Sequence, residues 1–135
     1  MPLDLTIVTP SGPAYHGDVD SVVLPGSEGD FGVRPGHERL LSALRCGEVQ
    51  IEKGGQTTHA AIAGGFAQVT GEQVTVLADS CELAPQIDVA RAERAVQSCE
   101  QGLAGLDRNS EAARIAEFEA ALERARNRLA VSQRK

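Results

Sequence analysis

The sequence predicts an α+β chain: an N-terminal β-sandwich of about ten short strands, then a C-terminal antiparallel two-helix hairpin. Three observations carry this expectation. Up to residue 84, short apolar runs alternate with Gly- and Pro-rich turns. After Pro85 the apolar period lengthens from two to that of a helix. A polar turn, Asp107-Arg108-Asn109-Ser110, then divides the helical stretch in two. The expected division is residues 1–85 for the sandwich and 86–135 for the hairpin.

Leu3, Leu5 and Ile7 alternate with Asp4 and Thr6, which predicts a half-buried strand ended by Thr9-Pro10-Ser11-Gly12-Pro13. Two strands are expected between Tyr15 and Leu24, broken near Gly17-Asp18, with the continuous run Val22-Val23-Leu24 deep in the core. From Leu24 to Leu44 the chain reads as the stretch around which the rest is organised. Gly26, Gly29, Gly32 and Gly36 recur every three or four residues there, so repeated turning is expected. Pro25 and Pro35 mark edges or corners. Glu28 and Asp30 project negative charge from this segment.

Leu40 to Leu44 runs into a turn at Cys46-Gly47, and Glu48 to Glu52 alternates cleanly. Lys53-Gly54-Gly55-Gln56 is a hairpin turn in which the glycines tolerate positive φ. Partner strands follow at Thr57–Ala63, Phe66–Thr70 and Val74–Leu77. In the helical part, Val89, Ala92, Val96, Cys99, Leu103 and Leu106 form one stripe. Ile115, Phe118, Leu122, Ala125 and Leu129 form the other. Asp88 is the expected N-cap, and Gly102 and Gly105 are expected to weaken or stop the first helix. A seam this narrow should hold the hairpin only marginally, so it is a candidate moving part.

Composition bounds the function. Only Tyr15, Phe31, Phe66 and Phe118 are aromatic, so the core must be aliphatic. A net charge of −6 and the scarcity of aromatics argue against a nucleic-acid partner. Residues 1–87 hold 4 basic and 11 acidic side chains, residues 88–135 hold 9 and 8, which suggests two surfaces with different partners. Cys46, Cys81 and Cys99 are odd in number and widely spaced, as expected of reduced thiols. No run of about 18 apolar residues exists, so direct membrane insertion is not expected and any membrane work would need a partner to hold the chain there. Catalytic signals are weak. No G-x-x-x-x-G-K-S/T occurs, His16, His37 and His59 lack metal spacing, and Gly26-Ser27-Glu28-Gly29 falls short of a nucleophile elbow.

The pattern Gly26-Ser27-Glu28-Gly29, Gly32, Pro35-Gly36-His37 and Leu40-Leu41 resembles the N-terminal domain of the ε subunit of F-type ATP synthases. Ala63-Gly64-Gly65-Phe66, Val74 to Asp79 and Arg128-Leu129-Ala130-Val131 extend the resemblance along the chain. It implies a non-catalytic rotor subunit of the central stalk, joining the γ subunit to the c-ring and regulating ATP hydrolysis through its helices. Its implied partners are the γ subunit, the c-ring and the α and β subunits of the catalytic head. Its implied location is the cytoplasmic face of the bacterial inner membrane, held there by the complex. A free-standing cytosolic ATP sensor, using the hairpin as a clamp, is the alternative.

The same resemblance assigns sites. Ser27, Glu28, Asp30 and His37 would face the c-ring. Ile87-Asp88-Val89-Ala90-Arg91-Ala92 is similar to the I-D-x-x-R-A motif that binds ATP in some bacterial members. With Glu82, Arg124 and Arg128 it would form a site for a regulatory ATP, no cofactor being required. Ser98 departs from the pattern where ATP-binding members carry a further arginine, and losing that guanidinium would weaken binding by about 1.5–3 kcal/mol. Arg124, Arg126, Arg128, Arg134 and Lys135, with no acidic residue after Glu123, exceed what compensation of a helix dipole needs. The resemblance implies that they meet an acidic stretch of the β subunits when the hairpin extends.

Overall fold

The computed structural model describes residues 2–107 and 109–134. Ten strands come first: β1 (Leu3–Thr9), β2 (Gly12–Val19), β3 (Ser21–Gly26), β4 (Gly29–Val33), β5 (His37–Leu44), β6 (Gly47–Lys53), β7 (Gln56–Ile62), β8 (Gly65–Gly71), β9 (Gln73–Ala78) and β10 (Cys81–Leu83). A 3-10 turn, Ala84–Gln86, leads into the helices α1 (Val89–Ala104) and α2 (Ala112–Ser132).

The strands pair in the order β10-β7-β6-β3-β5-β8-β9-β1-β2, with β4 added on β3. β2 also lies against β6, so the sheet curls over on itself and encloses a core as a sandwich. β1 and β9 run parallel, with Leu5 beside Val74 and Ile7 beside Val76, and the other pairs are antiparallel. The period-two pattern of β1 has its expected effect: Leu3, Leu5 and Ile7 are fully buried while Asp4 and Thr6 are not. Leu24, Val33, Val49, Ile51, Val69 and Val76 complete an aliphatic interior, with Tyr15 and Phe31 only at its margin.

Several local expectations need correction. The break expected near Gly17-Asp18 falls later, because Asp18 and Val19 still pair with Asp4 and Leu3. Val23 is half-buried between the buried Val22 and Leu24, so that run alternates after all. The glycine-rich stretch after Leu24 is mostly strand rather than a train of turns. Pro25 stands opposite Asp30 and Gly26 opposite Gly29, which leaves Ser27 and Glu28 as the tip of a tight hairpin. Gly65 is where a side chain could not stand. Its φ is +146°, and a Cβ would lie 2.0 Å from the Leu77 carbonyl oxygen.

In the hairpin, Asp88 Oδ1 accepts from the Arg91 backbone N–H at 3.1 Å, which caps α1 as its sequence predicts. The helix passes through Gly102 and ends at Gly105. Phe118 of α2 packs over Gly102, where a Cβ would come within 2.7 Å of the ring. Ala92, Cys99, Leu122 and Ala125 are buried between the helices. α2 meets the sandwich at β6, β7 and the 3-10 turn. Val131, fully buried, packs there with Ala61, Ala84 and Ile87 in a small cluster separate from the main core.

Candidate functional site

The underside of the hairpin and the sandwich enclose a crevice of about 650 Å³, within the usual range for small-molecule sites. Arg91 of α1, Arg124 and Arg128 of α2 and Glu82 of β10 all line it. Three guanidiniums against one carboxylate make the lining suited to an anion. The chain brings them together in two ways. The Asp88 cap starts α1 where Arg91, one turn on, borders the crevice, and the four-residue spacing of Arg124 and Arg128 puts both on one helix face. Arg128 is already engaged. Its Nη2 donates to Glu82 Oε2 at 3.1 Å, and its Nε lies 2.6 Å from Oε1, off the line of the N–H.

Ile87 belongs to the apolar cluster under Val131, and Ala92 is buried in the hairpin seam. Neither lines the crevice, nor does Asp88, so of the segment from Ile87 to Ala92 only Arg91 reaches it. Cys46 and Cys99 also border the crevice. Burial pushes the Cys46 thiol above its usual range, with Glu123 adding to the effect. Cys81 is raised to about 11 by burial and then by the neighbouring Glu82 carboxylate.

Ser27, Glu28 and Asp30 are exposed at the β3–β4 tip, where Asp30 pairs with Arg45. The Ser27 backbone N–H donates to the Ala43 carbonyl at 2.9 Å, which seats the tip at the C-terminal end of β5. His37 opens the same strand. It lies six residues from Ala43, roughly 20 Å along an extended chain, with its Nδ1 at 2.8 Å from the Glu38 carbonyl oxygen. The structure thus separates His37 from the other three residues of the expected surface.

The basic tail is largely engaged within the chain. Arg126 pairs with Glu100 of α1 at 3.6 Å, Arg128 with Glu82, and Arg134 Nε donates to Glu48 Oε2 at 3.1 Å. Glu48 Oε1 also lies 2.7 Å from His59 Nδ1. Arg124 has no ion pair among the described residues. Lys135 lies outside the described residues.

Two features were missed by the sequence reasoning. One is an apolar row on the outer face of the sheet. Phe66 and Leu77 are register partners 56% and 57% exposed, flanked by Ala43 and Val8, with Leu41 73% exposed two residues from Ala43. A signal existed: Leu40-Leu41, Phe66-Ala67 and Val76-Leu77-Ala78 are apolar on both faces. The other is Asn127, whose Nδ2 donates to the carbonyls of Gly47 at 2.9 Å and Ile62 at 3.4 Å.

The family model for the beta-sandwich domain of the ATP synthase Delta/Epsilon chain matches residues 2–84, and that for its long alpha-helix domain matches residues 86–133. The chain belongs to the ATP synthase delta/epsilon family. The ATP synthase epsilon chain of Bacillus velezensis is 41% identical over 128 residues, covering 95% of each chain. That of Nitratidesulfovibrio vulgaris is 44% identical over 129 residues, covering 96% of this chain and 94% of its own. Among solved structures, a chain of the Euglena gracilis mitochondrial ATP synthase, in the OSCP/F1/c-ring assembly in rotational state 1, superposes with a TM-score of 0.79. It is 26% identical and covers 93% of this chain and 78% of its own. A chain of the Tetrahymena thermophila mitochondrial ATP synthase, central stalk and c-ring, shares the fold with a TM-score of 0.67, 13% identity and 98% coverage of both chains.

Proposed function

We propose that this chain is the epsilon-type subunit of a rotary ATP synthase: a non-catalytic part of the central stalk that couples the γ subunit to the c-ring. The observation that carries the reading is the family match across both modules, sandwich and helices. The surface of the sandwich supports it. The apolar row of Phe66, Leu77 and Leu41 suits a permanent protein partner, because a patch of this kind left in water would favour association. The tip bearing Ser27, Glu28 and Asp30 adjoins it through the Ser27–Ala43 bond. We assign the apolar row to the γ subunit and the polar tip to the c-ring.

The helices regulate hydrolysis in this reading by leaving the sandwich and reaching the α and β subunits of the head, with Arg124, Arg126, Arg128, Arg134 and Lys135 directed at an acidic surface. A regulatory ATP in the crevice, held by Arg91, Arg124 and Arg128, would favour the docked form. No described helix is long and apolar enough to cross a membrane. The subunit therefore stays with the membrane through the complex, on what we take to be the cytoplasmic face of the bacterial inner membrane.

Replacing Phe66 and Leu77 together by glutamate tests the stalk assignment. The double variant should remain folded, since both side chains point outward, yet fail to co-purify with the γ subunit. Retention of γ at the wild-type level would move the stalk interface elsewhere. Cysteines at positions 28 and 30 should cross-link to c-subunit loops in assembled complexes, and cross-links confined to α or β would reject the tip assignment.

A further inference from the structure

The contact that fixes the hairpin on the sandwich is small and mostly polar. Its apolar part is the fully buried Val131 against Ala61, Ala84 and Ile87. Two ion pairs flank it, Arg128 with Glu82 and Arg134 with Glu48, and the second arginine is more than half exposed. The exposed second pair contributes little, whereas Arg128 and Glu82 are mostly covered and add to the hold. The remaining link is Asn127. It stands one turn before Val131, so both residues reach the sandwich from one face of α2.

Gly47 and Ile62 are register partners at the end of the β6–β7 ladder. The Asn127 amide nitrogen carries two hydrogens and donates towards both carbonyls. A hydroxyl could serve only one of them, and a carboxylate would repel both. We propose that Asn127 is the pin that holds the hairpin in register on the sandwich, so that this one amide sets the fraction of chains whose helices are released. The proposal rests on the hairpin being the regulatory part, but its physical content concerns the isolated chain alone.

Cys46 reports the state of the pin. It precedes Gly47 and borders a crevice shared with Leu122, Glu123, Arg126 and Asn127, so a docked α2 covers it and a released one does not. Alkylation of the full-length isolated chain, followed residue by residue by peptide mass spectrometry, should proceed roughly tenfold faster at Cys46 in Asn127→Ala, the factor expected for one lost hydrogen-bonding group. Asn127→Asp, nearly isosteric, should be released at least as strongly. Arg114→Ala, which removes a pair internal to the hairpin and away from that crevice, should leave the rate unchanged. Amide exchange in β1 and β9 should stay slow in every variant.

Wild-type Cys46 rates in both Asn127 variants would overturn the proposal. So would loss of protection in β1 and β9, since Asn127 would then support the sandwich itself. Neither outcome bears on whether the helices regulate hydrolysis, which the assembled enzyme decides.

Discussion

Cys81 sits in β10, the strand that ends the sandwich before the chain turns to the helices, and its thiol is pushed from 9.0 to about 11. The cause is burial first and the Glu82 carboxylate second. Between these values the unfolded chain loses a proton that the folded chain keeps. Stability from this residue is therefore complete below pH 9.0 and declines as the pH rises through about 11. Denaturant unfolding at pH 8, 9.5 and 10.5 should show this decline in the wild type, and Cys81→Ala should flatten it. An unchanged alkaline slope in the variant would assign the loss to other groups. The same burial makes Cys81 a slow nucleophile, since the thiolate is the reactive form.

At the scale of elements, Gly102 shows two rules in conflict. Intrinsic propensity says that any residue but proline should improve a helix at a glycine, alanine by about 1 kcal/mol. Here the glycine is a seat for Phe118, and the ring already occupies the space of a Cβ. Gly102→Val should therefore force Phe118 out of the seam. Far-UV circular dichroism and amide exchange should show a less stable hairpin above an unaltered sandwich. A hairpin more stable than wild type would mean that the ring yields at no cost.

The conflict also explains what could be read from the residues alone. The stripes from Val89 to Leu106 and from Ile115 to Leu129 are period signals, and packing between two helices obeys them. Asn127 and Val131 belong to a second face of α2 that meets the sandwich. A polar residue outside the main stripe reads as solvated until the fold supplies two carbonyls opposite it. The stretch after Leu24 misled for a related reason. Glycine announces a turn, yet Gly29 and Gly32 here lie in a strand whose partner, β3, brings its own backbone to the pairing. Burial of Leu5 or Ile51 was legible because alternation is local. The grouping of Arg91 with Arg124 and Arg128 followed only from the family resemblance, because it depends on where the hairpin docks.

For the whole molecule, the uneven charge along the chain becomes a physical tie. The acidic sandwich supplies Glu48 and Glu82, and the more basic helical part supplies Arg134 and Arg128 to meet them. While the hairpin is docked these pairs hold Arg128 and Arg134 on the sandwich, with Arg128 still bordering the crevice. An extended hairpin must first give up both pairs, and a ligand that binds only the docked form opposes that release by its differential affinity. Arg124 and Arg128 would serve the nucleotide in one state and the β subunits in the other, whereas Arg91 would serve only the first. Replacing Arg124 and Arg128 together by alanine should weaken ATP binding to the isolated chain and relieve inhibition of hydrolysis in the assembled enzyme. Arg91→Ala should weaken ATP binding, by roughly tenfold or more for the loss of one charged donor, yet leave inhibition intact and less sensitive to ATP. Equilibrium dialysis of the isolated chains and hydrolysis at low and high ATP measure the two effects separately. Unchanged dialysis with Arg91→Ala would remove the nucleotide from the crevice and leave Asp88 and Arg91 as the start of a helix, with the place in the stalk unaffected.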